Sequence, residues 1–285
     1  MDKQLLRLEI VVPEEGYDVV TGLLALMVSF GWEETSLATG ETLFRLHAEN
    51  GALLDEVARA VEARLPDAVC RRDSVVQADW VNAWKDFFTP VACGRRFVVL
   101  PPWRAEEPGF EGRSRILIEP KSAFGTGHHA TTALCLGVLS GLLDEGRIAA
   151  GQTFLDLGTG SGVLGLGLCE SGLAGEGCDI DPIAIDNVVE NRVLNHVAPA
   201  AFPVALGSIE LYAGRTFDVV VANILAQPLR DLAAPIAAAV APGGVLVLSG
   251  ILVIQADGVE AAYRAQGLPA AGRVVDGEWC ALVWR

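Results

Sequence analysis

The residues best placed to do chemistry are Phe154-Leu155-Asp156-Leu157-Gly158-Thr159-Gly160-Ser161-Gly162, with Cys178-Asp179-Ile180-Asp181-Pro182 one strand-length later. Phe154 to Leu157 read as a buried strand, and Gly158 to Gly162 as a glycine-rich turn opening a helix. Glycines at 158, 160 and 162 let the backbone take positive φ and approach a ligand closely, while the helix points free N–H groups at it. An acid ending the next strand, Asp179, is placed to accept from ribose hydroxyls. Together these residues predict a nucleotide-type cofactor site, against the plainer reading of a strand-to-helix connection with no ligand. The spacing bears on which cofactor it is. A dinucleotide fingerprint needs a third glycine at position 163, which is Val163, and the spacing present is G-x-G-x-G.

Two other segments are expected at the same edge. Ala123-Phe124-Gly125-Thr126-Gly127-His128-His129-Ala130-Thr131-Thr132 runs from a loop into a helix, and Ala222-Asn223-Ile224-Leu225-Ala226 follows the apolar strand Phe217 to Val221. A neutral amide such as Asn223 accepts from an amine N–H without stabilising the ammonium as a carboxylate would. A lysine ammonium, with a reference pKa of about 10.4, or an α-amine, at about 8, must lose its proton before its lone pair can attack a methyl carbon. Asn223 therefore suits N-methylation, an in-line displacement that positioning and desolvation accelerate and that needs no metal. His128 and His129 have no carboxylate or cysteine partner nearby, so no metal site is assigned. His128 is read as packing or hydrogen-bonding within its loop, with a general base as the alternative, since an imidazole titrating at about 6.5 suits proton removal at neutral pH. Asp181 is read as the cap of the helix begun by Pro182, and Asp156 as a group that orients the glycine turn through its backbone.

The elements that must position these residues are legible in the hydrophobic period. Leu5 to Val12 is strand-like, Val19 to Phe30 helical, Glu34 to Ala38 and Thr42 to Ala48 strand-like. Leu53, Leu54, Val57, Ala58, Val61 and Leu65 fall at helical spacing, and a strand runs from about Val69 to Gln77. This β-α-β-β-α-β order predicts a ferredoxin-like domain over 1–77. A linker is expected over 78–95, and Asp79 to Trp103 reads as a short amphipathic helix and the strand after it, with dense aromatics, Trp80, Trp84, Phe87, Phe88 and Trp103, that form a packing seam rather than a substrate surface. The stretch Arg104 to Arg113 reads as loop. From 96 to 285 strands at 153–157, 176–180, 201–205, 217–222 and 244–249 alternate with helices at 162–171, 182–195, 227–240 and 254–266, and strand-like segments close the chain around Gly277. Alternating βα units predict a doubly wound, mostly parallel sheet with its ligand at the carboxyl ends of the strands, and the closing pair predicts an antiparallel last strand.

Composition narrows the function classes. A chain of 285 residues, 51% of them hydrophobic, has length for one large core and a smaller one. A net charge of −15 offers no basic stripe to neutralise phosphates, which argues against direct DNA binding and against an anionic membrane surface. It suits a basic protein partner, or serves solubility alone. The six cysteines are scattered, without a C-x-x-C pair, as in a reduced cytoplasmic protein. No run of the ~20 apolar residues that span a bilayer is present, nor an export signal. A cytoplasmic monomer is expected.

Five motifs in order carry a resemblance: Phe124-Gly125-Thr126-Gly127-His128-His129-Ala130-Thr131-Thr132, the Leu155 to Leu164 segment, Asp179-Ile180-Asp181-Pro182, Val221 to Ala226, and Leu248-Ser249-Gly250-Ile251-Leu252. The glycine turn is similar to the S-adenosylmethionine-binding turn of Rossmann-like, class I methyltransferases. The set as a whole, with Asp79-Trp80-Val81-Asn82-Ala83-Trp84-Lys85 before it, resembles the ribosomal protein L-eleven (L11) methyltransferase family. That resemblance implies an S-adenosylmethionine-dependent N-methyltransferase acting on lysine side chains and the N-terminal amine of L11, with the first domain recognising the substrate. It also implies that Thr132, Gly158, Asp179 and Asn223 contact the cofactor, that Gly160 and Gly162 shape its turn, and that Phe124, Thr126 and His128 wall the methyl-transfer site. Two departures stand out. Glu119-Pro120-Lys121-Ser122 replaces the usual Asp-Pro-Gly, which loses a glycine, and Thr159 stands where Cys is common. The first leaves open a lysine methyltransferase acting on a different protein. A catalytically silent ribosomal-protein-binding module is a further alternative.

Overall fold

The computed structural model describes residues 4–28, 32–37, 39–48, 51–66, 68–76, 88–120 and 130–285. They fall into two compact units, Met1–Phe87 and Phe88–Arg285.

In the first unit β1 (Gln4–Val12), β2 (Glu33–Ser36), β3 (Thr42–Ala48) and β4 (Val69–Val76) form a sheet of order β2-β3-β1-β4. Every pair in it is antiparallel. Period-two alternation puts Leu8, Ile10 and Val12 of β1 and Phe44, Leu46 and Ala48 of β3 on one buried face. Two helices cover that face. Tyr17–Met27 contributes Val20, Leu23 and Leu24, and Gly51–Glu62 contributes Leu54, Val57, Ala58 and Val61 at helical spacing. The ferredoxin-like order expected from the sequence is the one observed.

The second unit opens with a small three-stranded sheet, where the sequence pattern predicts a single strand after the linker helix. β5 (Val91–Cys93) pairs antiparallel with β6 (Phe97–Leu100), and β6 pairs parallel with β7 (Ser114–Leu117). Val91–Cys93 falls within the stretch read as linker, 78–95. Phe88 and Trp103 meet edge to face with ring centroids 6.4 Å apart, the arrangement of a packing seam. Trp80, Trp84 and Phe87 lie outside the described residues.

The large sheet comprises β8 (Thr153–Leu157), β9 (Ala174–Asp179), β10 (Val204–Leu206), β11 (Phe217–Asn223), β12 (Val240–Leu252), β13 (Gly272–Asp276) and β14 (Trp279–Trp284). Its order is β10-β9-β8-β11-β12-β14-β13. The pairs from β10 to β12 are parallel, and β14 is antiparallel to both its neighbours. The expected doubly wound, Rossmann-like architecture is present. Alternate residues of each strand enter opposite cores. Phe154, Val219, Val221, Val245 and Val247 pack with helices Ala130–Asp144 and Val163–Glu170, while Leu155, Leu157, Val220, Leu246 and Leu248 pack with helices Ala226–Asp231, Ala233–Ala238 and Ala256–Arg264. Burial on both faces explains why these strands read as continuous apolar runs.

Two expectations need correction. The single helix expected over 227–240 is two, Ala226–Asp231 and Ala233–Ala238, broken at Leu232. Pro235 lacks the N–H that a continuous helix would bond to Asp231, and is tolerated only in the first turn of a new one. The third parallel strand is Val204–Leu206 rather than 201–205, because Phe202 is wholly buried against Phe154 ahead of it.

All six cysteines are free thiols. Burial pushes Cys93, Cys135, Cys169 and Cys178 up to about 12. Among the described residues no helix is long and apolar enough to cross a membrane.

Candidate cofactor and acceptor site

Three strand ends and one helix start build the site. β8 ends at Leu157 and passes through Gly158, Gly160 and Gly162 into the helix Val163–Glu170, and all three glycines have positive φ, +70°, +56° and +82°. That is a conformation L side chains rarely adopt. Space is equally restrictive at two of them. A Cβ on Gly158 would lie 2.3 Å from Cγ2 of Ile224, and one on Gly162 would lie 3.0 Å from Cγ1 of Val188. The turn is anchored by the Gly158 and Thr159 N–H groups, which both donate to the Cys178 carbonyl, at 2.9 and 3.0 Å.

Asp179 ends β9 beside that turn, half-buried. Its Oδ2 accepts the Gly160 N–H at 2.9 Å and its Oδ1 the Asp181 N–H at 3.0 Å. Each carboxylate oxygen has further lone-pair capacity, so both can still receive a ligand hydroxyl. Asp181 accepts from the Ile183 N–H at 2.9 Å as the N-cap of helix Pro182–Leu194, the role expected of it.

Asp156 lies one layer below. It is wholly buried, and Oδ2 accepts from the Thr159 hydroxyl at 2.8 Å and from the Gly165 N–H at 3.0 Å. Oδ1 has no partner among the described residues. Desolvation pushes its carboxyl up to about 6, against the lowering effect of those two bonds. Asp156 thus orients the turn through the Thr159 side chain and the backbone of the following helix. The Thr-for-Cys departure supplies a hydroxyl donor to it.

Asn223 closes β11, which lies next to β8 in the sheet. Its Nδ2 donates to Oγ1 of Thr132 at 3.4 Å, at the start of helix Ala130–Asp144. Its Oδ1 is buried and has no partner among the described residues. Thr132 itself is buried. The fold therefore brings Gly158, Gly160, Gly162, Asp179, Asn223 and Thr132 to one edge. Phe124, Thr126 and His128 lie outside the described residues, as do Lys121 and Ser122.

The features fit a small polar cofactor: glycines where a Cβ would collide, carboxylate lone pairs facing the turn, and a buried amide oxygen left unspent. Among the described residues no group of three or more His, Cys, Asp or Glu is placed to hold a metal ion. The sequence reading missed Asn191, which donates to the Ser161 carbonyl inside the turn at 2.9 Å. Nothing in the sequence marks it: Asn191 sits in the last turn of helix Pro182–Leu194, where a polar residue reads as solvent-facing, and its burial is visible only in the fold.

Residues 28–285 match the family model described as ribosomal protein L11 methyltransferase (PrmA). The chain belongs to that family. A ribosomal protein L11 methyltransferase of Pseudomonas aeruginosa strain LESB58 is 40% identical over 236 residues, covering 82% of this chain and 75% of that protein. One from Pelotomaculum thermopropionicum is 42% identical over 240 residues, covering 81% and 74%. Among solved structures, the ribosomal protein L11 methylase of Lactobacillus delbrueckii subsp. bulgaricus superposes with a TM-score of 0.61 at 26% identity, over 69% of this chain and 97% of that one. Membership in the L11 methyltransferase family makes this chain a methyltransferase.

Proposed function

We propose that this chain transfers methyl groups from S-adenosylmethionine to lysine side chains, the N-terminal α-amine, or both, of ribosomal protein L11, as a cytoplasmic monomer. The relatives at 40% and 42% identity carry that substrate in their names. When bound, the cofactor supplies a methyl carbon on a sulfonium, whose departure leaves a neutral thioether. Asp179 would accept from the ribose hydroxyls, and the turn at Gly158, held against Ile224 by the absence of a Cβ, would cradle the amino-acid end. Thr132 holds the Asn223 carboxamide by its Nδ2, so Oδ1 is the atom offered to the acceptor.

The observation that carries the reading is this unspent Oδ1, buried at the end of the strand adjoining β8. As a neutral acceptor it aligns an amine N–H without holding a third proton on the primary amine, which leaves the lone pair free to attack. Phe124, Thr126 and His128 wall the transfer site in this reading. The 1–77 domain recognises the substrate, 78–95 links, and 96–285 carries the chemistry.

The test is incubation of the purified protein with methyl-labelled S-adenosylmethionine and an extract from cells lacking this gene, with mass spectrometry of labelled bands. Label on L11 is the expected result. Label confined to another protein moves the target and keeps the chemistry. Absence of label despite measurable cofactor binding refutes the reading in favour of a silent binding module.

A further inference from the structure

Helix Pro182–Leu194 and its C-cap bury two asparagines one turn apart, Asn191 and Asn195. Asparagine is a poor mid-helix residue, and a buried carboxamide costs stability unless its donors and acceptor are matched. Both are matched, and to a specific target. Among the described residues β7 is paired on one side only, by β6, so Leu117 and Glu119, two residues beyond the strand's end, present open backbone groups. Asn195 fills the first of these as a neighbouring strand would. Its Oδ1 accepts the Leu117 N–H at 2.8 Å and its Nδ2 donates to the Leu117 carbonyl at 2.7 Å. Asn191 does something different. Its Oδ1 accepts the Glu119 N–H at 3.1 Å, but its Nδ2 turns to the Ser161 carbonyl at 2.9 Å, between Gly160 and Gly162.

One rigid amide plane thus joins two chain segments far apart in sequence. Ser161 belongs to the cofactor turn, and Glu119 stands just before the sequence that leads to Phe124, Thr126 and His128. We propose that Asn191 is a positioning residue for methyl transfer, tying the cofactor turn to the root of the acceptor-loop sequence so that the placement of one fixes the placement of the other. This role rests on the assignment of the Gly158–Gly162 turn to S-adenosylmethionine. Because donor and acceptor share one plane, a movement of Ser161 cannot occur without a matching movement at Glu119 or the loss of a bond. Asn195, whose Nδ2 also donates to the Asn191 carbonyl at 2.7 Å, is bonded to Leu117 but not to the turn, and provides the built-in comparison.

Three proteins decide it: the unsubstituted chain, Asn191→Asp and Asn195→Asp. Asn191→Asp keeps the acceptor for Glu119 and replaces the donor to Ser161 by a repelling oxygen. It is expected to weaken S-adenosylmethionine binding about tenfold by calorimetry, and to lower kcat for the protein substrate at saturating cofactor as well. Asn195→Asp is expected to lower the melting temperature while leaving cofactor affinity within about twofold. In the unsubstituted protein the cofactor should slow amide hydrogen exchange at Glu119, and this protection should vanish in Asn191→Asp. The tie is overturned if Asn191→Asp loses only melting temperature, as Asn195→Asp does, with affinity and kcat intact. Should Asn191→Asp not fold, exchange in the unsubstituted protein decides alone, and a Glu119 amide indifferent to cofactor overturns the tie. If the unsubstituted protein binds no S-adenosylmethionine, the cofactor assignment falls and the tie falls with it.

Discussion

Gly158 and Ile224 are in contact across the site: a Cβ on the glycine would sit 2.3 Å from Cγ2 of the isoleucine. The first glycine of the turn and the residue after Asn223 are therefore fitted to each other, and the distance between the turn and the Asn223 amide depends on the absence of a side chain at 158. Gly158→Ala should weaken S-adenosylmethionine binding at least about tenfold, from the positive φ and the collision together. Adding Ile224→Ala should recover part of that loss, because it removes the colliding methyl and leaves only the backbone strain. Calorimetric titration of the two single variants and the double variant checks this, and strict additivity would dissociate the two residues.

Asn223→Ala removes the unspent acceptor. Turnover is expected to fall on the order of a hundredfold. Asn223→Asp keeps the shape but stabilises the ammonium form of the bound acceptor amine, so its kcat profile should shift to higher pH. Steady-state rates between neutral and alkaline pH measure both. Unchanged turnover in the alanine variant would remove Asn223 from the mechanism.

The Asp156 carboxyl, raised to about 6 by burial, makes stability depend on pH in a definite direction. Between the ordinary carboxylate value of about 3.9 and 6 the folded state holds more protons than the unfolded state, so this group's contribution falls as pH rises through that window and is flat above it. Asp156→Asn cannot ionise. Relative to the unsubstituted chain it should gain stability between about pH 4 and pH 7, by up to about 3 kcal/mol. Urea unfolding at the two pH values reads the difference, and parallel curves would show that Asp156 titrates normally.

Among the described residues Thr159 supplies the one side-chain donor to that carboxylate, at 2.8 Å. Thr159→Val, equal in shape, leaves Oδ2 with the Gly165 N–H alone and should cost about 1–3 kcal/mol at pH 7. Thr159→Ser should cost less than half as much. The same unfolding measurement separates the two.

Much of this architecture is readable in the residues themselves. Val219 to Ala222 and Leu246 to Leu248 read as strands because both their faces are buried, and the positive φ at 158, 160 and 162 accords with glycine being the residue that tolerates it. Asp181 before Pro182 announces its cap. The small sheet is hidden because Val91–Cys93 and Ser114–Leu117 are too short to display a period, and β7 reaches its partner β6 across an intervening loop. Asn191 and Asn195 are hidden for another reason. On a helix that also exposes Glu190 and Val193, two asparagines look like part of a wet face, and only the approach of β7 turns that face inward.

Sequence order and spatial order part at this end of the sheet: β14, made after β13, lies between β12 and β13. During synthesis from the amino end, β12 emerges with one edge open, and β13 follows with nothing to pair with until Trp279–Trp284 has left the ribosome. The apolar edge of β12 is thus exposed for that interval, a template for mispairing with another nascent chain. A methyltransferase built this way completes its sheet only when Trp279–Trp284 is laid between a strand made well before it and the strand made just before it.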